Sequence, residues 1–183
     1  MKNPSYSCNY NIFDFFDANK YSIRHEINGI YYGIKYQCVE FSRRWLIHVY
    51  GITFDDVNTA YDIFNLSHAV RMSDNNKILW KNIKNGSSLR PVVGSILVWD
   101  KDGKFKESGH VAIVTEVSDT WIRVAEQNVD NTLWPKGSNY SRELVANYNK
   151  LGKYFIHDDY GKILGWKNLP NNFIPEPIPY PFE

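Results

Sequence analysis

The chain has 183 residues, of which 43% are hydrophobic, and its formal net charge is +1. This length predicts one domain that buries roughly 70% of the surface of the unfolded chain, and the balanced charge excludes a basic surface for nucleic acid or an anionic membrane. The sequence shows no apolar run of membrane-spanning length and no signal peptide, so we expect a soluble, cytoplasmic protein without a membrane partner.

The first 35 residues are rich in Asn, Tyr and Phe and have weak periodicity. The sequence therefore predicts an irregular lead-in for residues 1–35, followed by a domain over residues 36–169. Cys8 lies in this lead-in, and Cys38 is the second cysteine. Because cytoplasmic proteins rarely keep disulfides, we expect both to be free thiols.

The strongest helical pattern places a cysteine in its first turn. From Cys38, apolar or small residues recur at helical spacing on one face: Phe41, Ser42, Trp45, Leu46 and Val49. Gly51 is a stop signal, which predicts a helix from Gln37 to Tyr50. Free N–H groups at a helix start favour a thiolate, so Cys38 is a candidate nucleophile. A buried apolar cysteine fits the same pattern.

A second helical pattern precedes a change to strand periodicity. Asp55 or Asp56 offers an N-cap, and the apolar spacing that follows predicts a helix from about Val57 to Leu66. Beyond Pro91 short apolar stretches alternate with turns, which indicates strands. Helices before strands predict an α+β fold, with N-terminal helices packed on a mostly antiparallel sheet.

The predicted strands are Gly94–Trp99, His110–Val117, Trp121–Asn128, Arg142–Ala146, Tyr154–His157 and Ile163–Trp166. A long loop, Val129–Ser141, is either functional or a plain crossover. The last segment, Pro170–Glu183, is rich in proline and predicts an extended tail with polyproline character.

A cysteine nucleophile needs a base that takes its proton and returns it to the leaving amine, and histidine suits both transfers. His110 follows Ser108-Gly109 at the start of a strand predicted to cross the core, so it is the candidate base. The other histidines have no neighbours that suggest a site: His25, His48, His68 and His157.

Strand parity supplies a partner for this histidine. If Val117 pairs with Trp121 across the intervening loop, His110 faces Asn128 and Ala112 faces Glu126. Glu126 then lies diagonally across from His110, within reach to hold the imidazole in one tautomer. A slip of one residue would place Gln127 opposite His110 instead.

The oxyanion of an acyl-transfer reaction needs hydrogen-bond donors. The backbone N–H of Cys38 and the side chain of Gln37 are near any carbonyl that Cys38 attacks, although Gln37 could equally be a helix-start residue without chemistry. The sequence has no Cys or His pair at metal-ligand spacing, so we expect neither a metal nor another cofactor.

Five segments form a familiar pattern in order and spacing: Tyr36–Leu46, Gly94–Asp100, Ser108–Val114, Val124–Asn128 and Ile163–Trp166. They resemble the amidase domain of glutathionylspermidine synthetase/amidases, within the cysteine, histidine-dependent amidohydrolase/peptidase (CHAP) family. The resemblance extends from Gln37 to about Trp166 and implies a papain-like α+β fold. It implies that Cys38 is the nucleophile, His110 the base and then the acid, and Glu126 the orienter.

The resemblance also implies substrate contacts at Gln37, Arg43, the stretch Val57-Asn58-Thr59-Ala60, and Asn128. In that stretch, N–H groups of a first helical turn after Asp56 could hold a substrate carboxylate. Arg43 could add a carboxylate fork, unless Glu40 simply pairs with Arg43 or Arg44 along the helix surface.

The implied reaction is hydrolysis of the amide between the glycine carboxyl of glutathione and an amine of spermidine, through a thioester on Cys38. The sequence has no ATP-dependent synthetase half, so we expect a standalone amidase with a small-molecule substrate. Asn58 and Thr59 are bulkier than a tight carboxylate cradle requires, which leaves a related glutathione–polyamine conjugate as an alternative substrate. A peptidoglycan amidase or endopeptidase and a non-catalytic binding module stay open as other functions.

Overall fold

The computed structural model describes residues 23–130 and 133–180 of the chain. Its elements, in chain order, are β1 (Arg24–Ile27), β2 (Ile30–Ile34), α1 (Cys38–Tyr50), β3 (Ile52–Thr53), a first 3-10 helix (Ala60–Asn65), β4 (His68–Arg71), β5 (Lys77–Leu79), β6 (Lys81–Lys84), β7 (Ile96–Trp99), a second 3-10 helix (Gly103–Phe105), β8 (His110–Val117), β9 (Trp121–Ala125), β10 (Arg142–Tyr148), β11 (Tyr154–His157) and β12 (Ile163–Asn168). The predicted α+β class with a mostly antiparallel sheet is confirmed.

The main sheet has seven strands in the order β11-β10-β9-β8-β7-β12-β6, and the strands pair antiparallel. Its central strands, β7 and β8, are buried on both faces. Ile96, Val98 and Val111 belong to the same hydrophobic cluster as Cys38, whereas Leu97 and Ala112 belong to the second cluster. The alternation of side chains along a strand thus divides the core into two parts, one beside α1 and one enclosed by the sheet.

The two ends of the strand order meet and close the sheet. After β6, Ser87 bridges Tyr154 of β11, with the Tyr154 N–H donating to the Ser87 carbonyl at 2.7 Å. The side chain of Asn85 donates to the Ile156 carbonyl at 2.8 Å and accepts from the Ile156 N–H at 2.9 Å. The Asn85 side chain thus makes the two hydrogen bonds to β11 that the backbone of a neighbouring strand would otherwise make.

The predicted first helix is confirmed, with its first residue at Cys38. Gln37 is the N-cap in an extended conformation, and Gly51 ends the helix at φ 68°, in the left-handed region that favours glycine. On the predicted face Phe41, Ser42 and Leu46 are buried, whereas Trp45 is partly buried and Val49 is 36% exposed. Glu40, Arg43 and Ile47 are also buried, because the β1–β2 hairpin covers a second side of α1.

The prediction of an irregular lead-in is wrong for its described part. Arg24–Ile34 forms the β1–β2 hairpin, whose turn residues Asn28 and Gly29 have φ values of 52° and 77°. Two left-handed residues in an Asn-Gly turn match the twist of paired strands. Residues 1–22, which include Cys8, lie outside the described residues.

The prediction of an α-helix from Val57 to Leu66 is also wrong. The segment forms the 3-10 helix Ala60–Asn65, and its cap is Thr59 rather than Asp55 or Asp56. The Thr59 N–H donates to the Asp62 carboxylate at 2.9 Å, and this capping box fixes the start of the helix at Ala60. At the other end, the buried Lys167 ammonium donates to the Leu66 carbonyl at 2.6 Å.

Two predicted strands, His110–Val117 and Tyr154–His157, match β8 and β11. The strand from Trp121 ends at Ala125, not Asn128, and Asn128 is left-handed at φ 61°. The short strands β3–β6 were not predicted from the sequence, because with two to four residues each they are too brief to show an alternating pattern.

The proline-rich tail lies on the C-terminal end of α1. The Glu176 N–H donates to the Tyr50 carbonyl at 3.1 Å, and the His48 ring nitrogen Nδ1 donates to the Ile178 carbonyl at 2.7 Å. The Glu176 carboxylate pairs with Arg71 at 2.6 Å. The described part of the tail is therefore an ordered segment of the fold.

Among the described residues, no helix has the length and apolarity needed to cross a membrane.

Candidate active site

The start of α1 meets the start of β8. Cys38 is the first residue of the helix and His110 the first residue of the strand, and the buried thiol interacts with the imidazole. Gly109 has φ 68°, and a Cβ there would lie 2.8 Å from the Trp99 carbonyl oxygen and 3.0 Å from Tyr61. Glycine thus lets the chain before His110 pass close to its neighbours.

The pairing of β8 with β9 differs from the prediction at the turn and agrees with it near the site. Val117 pairs with Ile122 rather than Trp121. The register then shifts between Val114 and Glu116, and the next pairs are Val114 with Val124 and Ile113 with Ala125, as the predicted register requires. A β-bulge therefore restores the predicted alignment before the strands reach His110.

Glu126 follows β9 and contacts His110. The His110 Nε2–H donates to Glu126 Oε2 at 2.7 Å, and both side chains are 2% exposed. Because Nε2 bonds to Glu126, Nδ1 is the ring nitrogen available to Cys38. The structure thus brings together the three residues predicted as catalytic, in the order thiol, imidazole and carboxylate.

Burial and charge act against each other at this site. Burial disfavours the imidazolium, but the Cys38 thiolate and the hydrogen bonds to Cys38 and Glu126 raise the pKa of His110 to about 9. Burial likewise disfavours the Glu126 carboxylate, whereas its hydrogen bonds to His110 and Arg142 lower the pKa of Glu126 to about 2. Both shifts favour an imidazolium at His110 beside a carboxylate at Glu126.

Aromatic rings enclose the imidazole. The Phe105 ring stacks on His110 with centroids 4.6 Å apart at 12°, and the Trp99 ring lies 5.1 Å away at 60°. These rings restrict rotation of the imidazole and keep water from it. Neither residue was predicted as part of the site, because a buried aromatic residue in a sequence is explained equally well by core packing.

Gln37 and Asn128 are brought together beside Cys38. The Asn128 amide nitrogen donates to Gln37 Oε1 at 2.7 Å, which leaves the Gln37 amide nitrogen as a donor. Gln127, the alternative in a slipped register, instead accepts from Arg44 at 3.4 Å. The loop Val129–Ser141 also reaches the site, since Trp134 packs on Phe41 and donates to the Glu126 carbonyl at 3.3 Å.

Arg43 lies on another side of α1. Its guanidinium donates to the Tyr32 carbonyl at 3.0 Å and pairs with Asp56 at 3.2 Å. The helix-surface partner of Glu40 is Arg44, at 2.7 Å. Arg43 borders a cavity of about 270 Å³ that is lined by Gly29, Ile30, Tyr31, Arg43, Ile47, Thr53, Phe54, Asp56 and Met72. The substrate contact of Arg43 stays a prediction.

The stretch Val57–Ala60 is not the predicted first turn of a helix. The N–H groups of Val57 and Thr59 donate to the carboxylates of Asp56 and Asp62, at 3.2 and 2.9 Å. A substrate carboxylate would have to compete with these groups. Ala60 is buried in the same cluster as Cys38, and Asn58 is exposed.

Three polar residues around Glu126 were not predicted from the sequence. Arg142 Nε donates to Glu126 Oε1 at 2.6 Å, and Ser141 Oγ lies 3.0 Å from the same oxygen. Asp158 in turn accepts from Arg142 at 3.1 Å. A buried carboxylate needs a cationic partner, but local sequence does not identify that partner.

Among the described residues, no cluster of three or more His, Cys, Asp or Glu side chains could hold a metal ion.

Comparison with known proteins adds an independent finding. The model of the CHAP domain family matches residues 28–128. The chain is 41% identical over 145 residues to the bifunctional glutathionylspermidine synthetase/amidase of Escherichia coli (strain K12), which covers 78% of the chain and 23% of that relative. It is 31% identical over 172 residues to the trypanothione synthetase of Crithidia fasciculata, which covers 91% of the chain and 25% of that relative.

The chain thus spans about a quarter of the length of these relatives. The matched region contains α1, the central strands and the three residues Cys38, His110 and Glu126. On this match and on its α+β architecture, the chain belongs to the CHAP domain family.

Proposed function

We propose that this domain is a cysteine amidase that hydrolyses glutathionylspermidine, or a related glutathione–polyamine conjugate, to glutathione and the free amine. The observation that carries the proposal is the buried hydrogen bond of His110 with Glu126, at the end of the strand that packs on the helix bearing the buried Cys38. Similarity to a glutathionylspermidine synthetase/amidase supports the choice of substrate class.

The first half of the proposed reaction acylates Cys38. The thiolate sulfur attacks the carbonyl carbon that joins the glycine of glutathione to the amine, and the carbonyl oxygen becomes an oxyanion. The imidazolium of His110 gives a proton to the amine nitrogen as the C–N bond breaks. The free amine leaves, and glutathione stays as a thioester on Cys38.

The second half hydrolyses the thioester. Neutral His110 accepts a proton from a water molecule, whose oxygen attacks the thioester carbonyl. The C–S bond then breaks with the thiolate as leaving group, the new carboxyl group of glutathione loses its proton to solvent, and the thiolate and the imidazolium are restored. Glu126 keeps the ring oriented and stabilises its charge in both halves.

We expect two donors to stabilise the oxyanion. The N–H of a first helical residue has no partner within its helix, so the Cys38 N–H is available, and the Gln37 amide nitrogen is the second donor. Asn128 holds Gln37 through the bond of 2.7 Å.

The remaining substrate contacts are proposed on the resemblance. Arg43 lies at the cavity beside Asp56, and a substrate carboxylate that binds Arg43 must compete with the Asp56 carboxylate at 3.2 Å. We expect Val57–Ala60 to contact the same substrate, because this stretch follows Asp56 and ends at Ala60, which is buried in the same cluster as Cys38.

The test is to incubate the protein separately with glutathionylspermidine and with peptidoglycan fragments, and to measure released spermidine or peptide by mass spectrometry. Release of spermidine alone supports the proposal. Release of peptide alone identifies a cell-wall amidase, and release of neither product by folded protein contradicts an amidase on these substrates.

Replacement of the nucleophile gives the sharpest result. We expect Cys38→Ala to lower amide hydrolysis at least about a thousandfold, because the remaining groups can only orient water. Cys8→Ala is the control and should keep wild-type turnover. Comparable turnover by a folded Cys38→Ala variant would exclude the thioester mechanism.

A further inference from the structure

The carboxylate that orients His110 is itself held by a cation. Glu126 Oε1 accepts from Arg142 Nε at 2.6 Å, and Oε2 accepts from Arg142 Nη2 at 3.2 Å and from His110 at 2.7 Å. The guanidinium thus grips both oxygens as a fork, and the imidazole shares one of them.

Arg142 is fixed from its other side. Its Nη1 donates to Asp158 at 3.1 Å, and the same aspartate accepts from the Trp99 indole N–H at 2.9 Å. The guanidinium also lies 4.8 Å from the centre of the Tyr160 ring. Arg142 is 19% exposed, so this fork is largely shielded from water and from counterions.

The side chains that face the His110 ring come from four elements. Cys38 faces the ring from α1 and Glu126 from the end of β9, while the neighbours from β7 and the second 3-10 helix are the uncharged rings of Trp99 and Phe105. Behind Glu126 stand Arg142 of β10 and Asp158 after β11, and beyond Arg142 lies the contact of Asp130 with Lys104 and Tyr160.

We propose that Arg142 is a positioning residue that acts on His110 through Glu126. Its fork holds the carboxylate in one orientation, and its charge draws part of the carboxylate's charge away from the imidazolium. An imidazolium beside an uncompensated buried carboxylate would hold its proton more tightly and give it up less readily to the leaving amine. The kinetic part of this inference rests on the proposed amidase function, but its spectroscopic part does not.

The test uses Arg142→Gln in the full chain. We expect the titration midpoint of the His110 ring, followed by NMR of ¹³C-labelled histidine and assigned with His110→Gln, to rise by about half a pH unit or more. With glutathionylspermidine as substrate, the alkaline limb of kcat/KM should move in the same direction. We expect kcat to fall about tenfold to a hundredfold with KM little changed, because the ring is misplaced.

Two further variants distinguish the effect of the Arg142 charge from that of its fork geometry, and both from the effect of removing any arginine of the sheet. Arg142→Lys keeps the charge but cannot form the fork, so it should keep the wild-type midpoint and lose turnover. Arg123→Gln is the matched control, since Arg123 lies on neighbouring β9 and pairs with Glu116 and Glu143 at 2.9 and 3.0 Å. It should leave both the midpoint and kcat unchanged.

The inference is overturned if Arg142→Gln is folded and its His110 midpoint equals that of the wild type, even when turnover is lost. If Arg142→Gln does not fold, Arg142→Lys decides: a wild-type midpoint with reduced kcat supports the role, and wild-type kcat contradicts it. If the wild type releases no spermidine, the proposed function fails while the titration still decides the role of Arg142.

Discussion

At the scale of single residues, His110 carries a charge that water does not reach. Its imidazolium pairs with the Glu126 carboxylate at 2.7 Å, and two aromatic rings exclude solvent. Such a pair contributes to folding only while both members keep the charge that the folded state favours. The stability of the protein should therefore depend on pH in a predictable way.

The folded state raises the pKa of His110 from 6.5 to about 9. Because its pKa is raised, His110 contributes to the free energy of unfolding fully below pH 6.5, and this contribution is lost as the pH rises through about 9. We expect the stability advantage of the wild type over His110→Gln to be largest below pH 6.5 and to shrink up to pH 9. Urea unfolding at several pH values measures it.

The control for this prediction is His157→Gln, because His157 is exposed and bonds only to Asn147 among the contacts of the described chain. Its stability difference should not change over the same range. An advantage of His110 that stayed constant from pH 6 to pH 10 would refute the linkage. The pH dependence of Glu126 is opposite, because its pKa is lowered. Its contribution to the free energy of unfolding is present above pH 4.5 and is lost as the pH falls through about 2.

At the scale of elements, two N-termini build the site: α1 presents Cys38 and β8 presents His110. The first 3-10 helix adds Ala60 to the cluster around Cys38, and it is held at both ends. Asp62 caps its start through Thr59, and Lys167 donates to the Leu66 carbonyl at its end. A short 3-10 helix needs both anchors, because it makes few hydrogen bonds of its own.

The capping box can be tested by Asp62→Ala. The Thr59 N–H and hydroxyl lose the carboxylate that they contact at 2.9 and 2.8 Å, so we expect the free energy of unfolding to fall by about 1 kcal/mol. Denaturation in urea measures the change. Asp119→Ala is the control, because the exposed pair of Asp119 with Arg90 should contribute less than about 0.5 kcal/mol. Equal losses in the two variants would argue against the box.

At the scale of the whole molecule, closure of the sheet encloses the second half of the core. Tyr154, Ile156 and Trp166 are buried there, next to strands that carry His110 and Arg142. The join between β6 and β11 depends on Asn85, which both donates to and accepts from Ile156. Without it, only the backbone bonds of Tyr154 with Gly86 and Ser87 would join β11 to this side of the sheet.

Asn85→Asp should weaken this join at nearly constant side-chain shape. An aspartate keeps the acceptor for the Ile156 N–H but cannot donate to the Ile156 carbonyl, so we expect a loss of about 1 to 3 kcal/mol in unfolding free energy. Asn149→Asp is the control, because the Asn149 side chain only accepts, from Leu151 and Lys153. If both variants were equally stable, the amide of Asn85 would not hold the closure.

The sequence by itself determined the parts of the site that follow from local periodicity. The helical spacing after Cys38 set α1, and strand parity set which residues share a face with His110. Even so, the predicted pair of Val117 with Trp121 is wrong, and a bulge between Val114 and Glu116 restores the alignment.

Only the tertiary structure decided which distant residues meet. The fork of Arg142 on Glu126 depends on the pairing of β10 with β9 across a long loop, and the closure by Asn85 joins residues 71 positions apart. Local patterns do not encode such pairings, because the register between distant strands is set by the packing of the whole core. Periodicity thus identified the thiol, the imidazole and the carboxylate, and tertiary packing supplied the cation that holds the carboxylate.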